Sequence, residues 1–295
     1  MKNLNSFDQV ELPEMGIPYA WKCPGKEKGL TVTVLGGVHG NETVGVDIVQ
    51  NLLLKMMQGK VQQGVLQVAL GNIEAIKQGK RFIEKDLNRC FGHPKGKSIE
   101  EIRANQLKPL LMDTDVLLDI HGTIKPSKAF LGSPNPDHKL GSILPYIGLP
   151  TLITGEGYAA KGNPIYSDAF VAEAGGLGIT IEAGWLEDPK VMQIQKNIHD
   201  ALVMLGIFEG DKSKITPVDM QIWDAYWNVI AGENFEFTKD WQNFQEVPAG
   251  TLIATDPEGN GDVVTSQDSI ILFPKSKANL VVGNEACIIA RKKAA

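Results

Sequence analysis

Along the first two thirds of the chain, strand-like and helix-like rhythms of apolar residues alternate. Thr31-Val-Thr-Val-Leu35 is a β-branched run that predicts a strand and ends in Gly36-Gly37. From Val44 to Met57, apolar residues recur at Val46, Val49, Leu53 and Met56 or Met57, the spacing of one helical face. Val65-Leu-Gln-Val-Ala-Leu70 alternates as a strand and stops at Gly71-Asn72. Ser98 with Glu101 three residues on has the form of a capping box, opening a helix that Pro109 is expected to kink or stop. Asp115-Val-Leu-Leu-Asp-Ile-His-Gly-Thr123 and Leu177-Gly-Ile-Thr-Ile181 are two further strands with buried character. Asp188-Pro189 supplies an N-cap and a first-turn proline for a helix whose face is Val191, Ile194, Ile198, Leu202 and Leu205 before Gly206.

This alternation, from Leu30 to about Phe208, is that of an α/β domain. From about Gly210 the runs shorten and are punctuated by proline and glycine, which predicts an all-β region. Ala249–Ala254, Ser269–Pro274 and Val281–Ala290 resemble the small β-sandwich of biotinyl and lipoyl domains, but Val264–Ser269, at the place of the carrier hairpin, has no lysine to modify. The expected organisation is an α/β catalytic domain over residues 1–209, a mixed and mostly parallel sheet flanked by helices, followed by a β-rich cap resembling a barrel-sandwich over residues 210–295.

A chain of 295 residues, 43% hydrophobic, can bury one large core and a smaller second one. A formal charge of -6 provides no basic field for phosphate binding, so nucleic acid is not an expected partner and a small molecule is. No apolar run approaches the roughly 20 residues that span a bilayer, and Met1–Asp8 lacks a signal-peptide core, so no membrane partner and a cytoplasmic location are expected. Cys23, Cys90 and Cys287 are widely separated and form neither a disulfide framework nor a thiolate metal site. Cys90 reads as a small buried residue, its neighbour Arg89 being the one feature that favours a depressed pKa. A homo-oligomer is left open.

Candidate chemistry sits where the strands end. His39 and Glu42 lie in the glycine turn Gly36-Gly-Val-His-Gly-Asn-Glu42, just before the helix from Val44, a placement suited to two metal ligands. His121, where a strand meets Gly122, is the expected third ligand, and Glu182 follows the strand ending at Ile181. In open α/β sheets ligands bind beyond the carboxyl ends of the strands, so these residues converge if the strands are parallel neighbours. Asp119, two residues before His121, leaves by the same strand face and either orients its imidazole or serves a plain core or ion-pair role. Asp86 is similarly ambiguous, since between Lys85 and Arg89 it can simply pair with its neighbours. His93, His138 and His199 read as loop, loop and surface residues.

The succession G-x-H-G-x-E, Asp86-Leu-Asn-Arg-Cys-Phe91, D-I-H-G and I-E-A-G, in order from about Gly36 to Gly184, resembles the succinylglutamate desuccinylase/aspartoacylase family, zinc-dependent amide hydrolases related to metallocarboxypeptidases. The resemblance implies a zinc carboxypeptidase-like fold, one Zn2+ per chain on His39, Glu42 and His121, Glu182 as the catalytic carboxylate, and Arg81, Asn88 and Arg89 lining the substrate pocket. In that scheme Glu182 takes a proton from water and passes it to the leaving amine. Arg81 is the cation that offsets charge on the former carbonyl oxygen, while Arg89, with Asn88, holds a substrate carboxylate bidentately. The family's extra arginine, about ten residues before the catalytic glutamate, is replaced by Ala172, which implies a substrate other than N-acetylaspartate. Its C-terminal-domain tyrosine has no counterpart around Ile271–Pro274, leaving Tyr158 and Tyr166 as substitutes. The function expected is a zinc-dependent deacylase of a small N-acylated amino acid or related amine. The alternatives are a metallocarboxypeptidase acting on short peptides and, in another class, a non-catalytic small-molecule binding protein.

Overall fold

Strands with no polar face belong in the middle of a sheet covered on both sides, and two such strands organise the α/β part of this protein. The computed structural model describes residues 4–7, 10–12, 15–92, 96–156, 158, 166–257 and 261–293. It divides into two compact units, residues 1–150 with 161–220, and residues 151–160 with 221–295. The sequence places a single boundary at 209/210. The structural division falls eleven residues later and assigns a segment around 151–160 to the second unit, because the strand it contains pairs with one from the C-terminal region.

In chain order, the elements begin with β1 (Ala20–Pro24), β2 (Glu27–Gly36), α1 (Thr43–Met57), β3 (Gln63–Leu70), α2 (Ile73–Gln78), α3 (Ile99–Met112), β4 (Val116–Thr123) and β5 (Phe130–Gly132). They continue with β6 (Thr151–Thr154), α4 (Ser167–Glu173), β7 (Leu177–Trp185) and α5 (Ile194–Met204). The C-terminal strands are β8 (Gln221–Ile230), β9 (Glu236–Phe237), β10 (Gln245–Val247), β11 (Leu252–Thr255), β12 (Val263–Val264), β13 (Ser269–Leu272) and β14 (Glu285–Lys292).

Within the first unit the strand order is β1-β3-β2-β4-β7-β5. The four central strands β3, β2, β4 and β7 run parallel, and β1 and β5 are antiparallel to their neighbours. Leu35 and Leu117 pack with Leu107 and Leu111 of α3 and Val171 of α4 in one apolar layer. Their strand neighbours Val34 and Leu118, also fully buried, point to the opposite face, and α1 packs against β2, β3 and β4. Each fully buried Leu or Val side chain contributes about 1.5–3 kcal/mol relative to exposure.

Helix α1 comes so close to β2 that side chains are excluded at the contact. A Cβ on Gly36 would lie 2.3 Å from the Gly45 carbonyl oxygen. This backbone contact fixes the loop between them, which carries His39 and Glu42.

Helix α3 opens with the expected capping box between Ser98 and Glu101. It does not stop at Pro109 but continues to Met112. Pro109 lies in the last turn, where one missing backbone donor is outweighed by burial of Leu107, Leu110 and Leu111. The segment after Asp188 starts as a 3-10 turn, Pro189–Gln193, and becomes α-helical only at Ile194. Ile194, Ile198 and Leu202 are buried as the periodicity requires, whereas Val191 and Leu205 are only half-buried.

The second unit contains β6 parallel to β8, then β14, β13 and β10 joined antiparallel in that order. A separate three-stranded sheet has the order β12-β11-β9. Val229, Ile253, Ile271 and Ile289 form the core of this unit with Trp241. Among the described residues, no helix is long and apolar enough to cross a membrane.

Candidate metal centre

The three parallel strands β2, β4 and β7 deliver the candidate residues to one place, beyond or near their carboxyl ends. His39 lies in the loop after β2, and Glu42 is the N-cap of α1 but makes no side-chain capping bond. Its carboxylate instead turns inward, where the helix N-terminus favours negative charge. Glu42 Oε1 lies 2.8 Å from His39 Nδ1, and Oε2 lies 3.1 Å from His121 Nδ1. The two Nδ1 atoms are 3.2 Å apart. The Gly122 backbone N–H also donates to Glu42 Oε2 at 3.1 Å. All three side chains are buried.

Each imidazole has a carboxylate behind it. His39 Nε2 donates to Asp86 Oδ1 at 3.0 Å, and His121 Nε2 lies 3.1 Å from Asp119 Oδ2. A proton on Nε2 leaves Nδ1 as the lone-pair donor, the arrangement that fixes the tautomer of metal-ligating histidines. His39, Glu42 and His121 offer ligand atoms that all lie within 4.8 Å of one another. Two imidazole nitrogens and one carboxylate are a catalytic zinc donor set, with further positions left for water or substrate. The residues present therefore fit a metal ion of that kind.

The electrostatics of the metal-free cluster point the same way. Burial alone would lower the pKa of His39, but the carboxylates of Glu42 and Asp86 outweigh it and raise it. Burial likewise opposes the charge on His121, while Asp119 and Glu42 carry its pKa well above the ordinary value. Burial works against ionised Glu42 and Asp86 too, yet the imidazoles, and for Asp86 also Arg81 and Arg89, hold both carboxyls below the usual range. A cation at the centre would take over the role of the imidazole protons.

Glu182 stands in register with His121 across the β4–β7 pair. Strand β7 does not end at Ile181 but runs to Trp185, with an extra residue inserted opposite His121–Thr123. Gly184, at φ +91°, accommodates this bulge in a conformation that side-chain-bearing residues rarely adopt. Burial is the main cause that lifts the Glu182 pKa to about 7. The residue keeps some exposed surface, but its Oε2 is shielded and has no hydrogen-bond partner among the described residues. A carboxyl in this condition can accept a proton and give it back near neutral pH.

The loop before α3 brings in Arg81, which donates to Glu42 Oε1 at 3.2 Å and to Asp86 Oδ2 at 3.1 Å. Asp86 thus pairs with His39 and Arg81 rather than with Lys85, whose ammonium goes to Glu101 at 2.8 Å. It also caps the 3-10 turn Leu87–Arg89 through the Asn88 N–H. Asn88 is buried, and its Oδ1 accepts from the Ser167 backbone N–H at 3.0 Å. The Arg89 guanidinium lies over the Tyr166 ring, 4.4 Å from its centroid. Tyr166 is therefore beside the candidate substrate arginine, while Tyr158 lies in a turn of the second unit.

The loop from Arg81 to Asp86 is not a free charge run. The buried Glu100 carboxylate accepts from the backbone N–H groups of Ile83, Glu84 and Lys85 and from Asn72 Nδ2. Glu100 and Ser167 were not apparent from sequence, since neither belongs to a recognisable motif. Cys90, buried and donating to the Asp86 carbonyl, has its thiol pushed up to about 11 by burial, the reverse of activation. His138 accepts from Leu140 N–H in a loop, His199 stacks on Phe208 at the surface of α5, and His93 lies outside the described residues.

The succinylglutamate desuccinylase/aspartoacylase catalytic-domain family model matches residues 28–202. The chain is 24% identical to succinylglutamate desuccinylase of Pseudomonas fluorescens (strain Pf0-1), over 92% of this chain and 89% of that protein. It is 28% identical to the enzyme of the same name from Pseudomonas aeruginosa (strain UCBPP-PA14), over 92% and 90%. Among solved structures, succinylglutamate desuccinylase from Vibrio cholerae has a TM-score of 0.78 at 19% identity, covering 97% of this chain and 94% of that one. The product-bound ectoine utilization protein from Ruegeria pomeroyi has a TM-score of 0.66 at 20% identity, covering 93% and 88%. At these identities the structural likeness is one of fold.

Proposed function

The chain belongs to the succinylglutamate desuccinylase/aspartoacylase family of amide hydrolases, and from that premise we propose that it is a zinc-dependent deacylase of a small N-acylated amino acid or related amine. The observation that carries the reading is the pairing of a His39-Glu42-His121 donor set with Glu182 in register beside it, its Oε2 without a hydrogen-bond partner among the described residues. Zinc, when bound, supplies Lewis acidity that polarises a carbonyl and makes hydroxide available near neutral pH.

The chain's own residues then have separate tasks. His39, Glu42 and His121 hold the ion, with Asp86 and Asp119 orienting the two imidazoles. Glu182 Oε2 takes the proton from attacking water and returns it to the departing amine nitrogen. Arg81, already close to the ligand carboxylate, offsets the negative charge that develops on the carbonyl oxygen. Arg89 and Asn88 bind the substrate carboxylate through a planar fork and an amide N–H. Ala172 provides no cation for an acidic substrate side chain, which favours a substrate other than N-acetylaspartate.

The test is elemental analysis of purified wild type and His121→Ala, coupled to amine release from N-acyl amino acids, N-succinylglutamate included, and from short peptides. One zinc per chain, lost in the variant, with amine released from acyl amino acids alone, is the expected result. Release from peptides alone would make the protein a carboxypeptidase, and zinc without any turnover would make it a binding protein. Absence of metal after zinc reconstitution would remove the central claim.

A further inference from the structure

One chain of contacts in the described structure joins the metal side of the cluster to the substrate side, and it passes through a residue that takes no part in the chemistry above. Asp119 and His121 leave β4 by the same face, which places the carboxylate against the imidazole. Asp119 is completely buried, so its oxygens need hydrogen-bond donors there. The Ser167 hydroxyl, at the start of α4, donates to its Oδ2, the same oxygen that faces His121 Nε2, while Oδ1 has no hydrogen-bond partner among the described residues. Removing the hydroxyl leaves the imidazole as the remaining group to fix the carboxylate.

Ser167 also acts through its backbone. Its N–H donates to Asn88 Oδ1, and both residues are buried. With Oδ1 engaged, the amide cannot flip without losing that bond, and Nδ2 is the end presented to a ligand. The adjoining Tyr166 ring lies against Arg89. Three consecutive features of one short segment therefore reach three groups of the site: ring to Arg89, amide to Asn88, hydroxyl to Asp119.

We propose that Ser167 is a positioning residue that sets two orientations at once, that of the Asp119–His121 pair through its hydroxyl and that of the Asn88 carboxamide through its backbone amide. The proposal rests on the metal reading above, and the two arms can be separated because a side-chain substitution touches only the first.

The experiment measures zinc affinity by competition with a chromophoric chelator, beside steady-state kinetics on the best substrate found. Ser167→Ala is expected to weaken zinc binding about 10- to 100-fold, the usual consequence of losing an outer hydrogen-bond partner, with KM close to wild type since the backbone N–H remains. Asn88→Ala should do the converse, raising KM with zinc affinity unchanged. In an Asp119→Asn background the effect of Ser167→Ala on zinc should disappear, because the hydroxyl acts through that carboxylate. If the alanine variant does not fold, Ser167→Thr and Ser167→Val, alike in shape but differing in the hydroxyl, carry the comparison: threonine keeps zinc and valine loses it. Equal zinc affinity in wild type and Ser167→Ala, in threonine and valine variants, or an undiminished effect in the Asp119→Asn background, overturns the proposal alone. A wild type that binds no zinc overturns the functional reading with it.

Discussion

His121 and Glu182 stand opposite each other on neighbouring parallel strands, and a one-residue bulge begins immediately beyond them. The proposed ligand and the proposed base are thus set by one register but are covalently independent, so each can be removed without displacing the other. Glu182→Gln keeps the shape and loses the proton acceptor. It should lower kcat and kcat/KM together by about 10²–10⁴-fold, the range for a lost acid-base group, with zinc content unchanged by elemental analysis. Loss of zinc in this variant would place Glu182 among the ligands instead.

Protonation of the metal-free cluster gives a pH dependence of definite sign. His39 and His121 have folded pKa values above the ordinary 6.5, so their stabilisation is full below that value and is lost as pH rises through the folded values. Glu182, raised from 4.5 to about 7, adds to the decline between those limits, because its folded form is the better proton acceptor. Glu42 and Asp86 act oppositely, their contribution being lost only in acid. The melting temperature of chelator-treated protein should therefore fall from mildly acid to alkaline pH. Zinc displaces the imidazole protons and binds better as pH rises, so the gap between loaded and metal-free melting temperatures should widen. A gap that is constant from pH 6 to about 8.5, by calorimetry, would take the histidines out of the metal site.

Glu100 anchors the loop that carries Arg81 and Asp86, and its replacement separates anchoring from stability. Glu100→Gln puts an amide NH2 among three part-buried backbone donors, leaving at least one of them without its acceptor at a cost of about 1 kcal/mol. The denaturation midpoint should drop, and kcat/KM should also fall, because Asp86 loosens behind His39 and Arg81 loosens beside Glu42. Native kcat/KM at a lowered midpoint would mean that the clamp serves stability only.

What sequence could disclose depended on how local each signal was. Strand β2 ends in glycines and α1 begins within a few residues, so His39 and Glu42 were legible as a pair. His121 and Glu182 were legible as residues, but the bulge at Gly184 was not, and β7 extends four residues past the point where its apolar run ends. Asp86 stayed ambiguous in the sequence because its partner His39 lies 47 positions away. Ser167 and Glu100 act through contacts 48 and 15–17 positions distant, with no spacing rule to mark them. Strand β8 was missed because its residues are mostly half-buried and lack a two-residue alternation. Helix α3 runs three residues past Pro109 because its last turn is held by buried leucines.

The Arg89 guanidinium lies over the Tyr166 ring, which restricts its orientation before any substrate arrives. Arg89→Lys keeps the charge but loses both the fork and the stacking surface. KM for an N-acyl amino acid should rise roughly tenfold or more, each factor of ten being about 1.4 kcal/mol, while kcat changes little, since the carboxylate is held equally in ground and transition states. The matching N-acyl amine without a carboxylate makes no such contact, so wild type and Arg89→Lys should hydrolyse it alike. Tyr166→Ala should show part of the same KM effect, and Tyr166→Phe, which keeps the ring, should show little of it. Equal loss on both substrates would assign Arg89 to the reacting carbonyl or to the fold rather than to the carboxylate, and the substrate class would then have to be sought without an acid group.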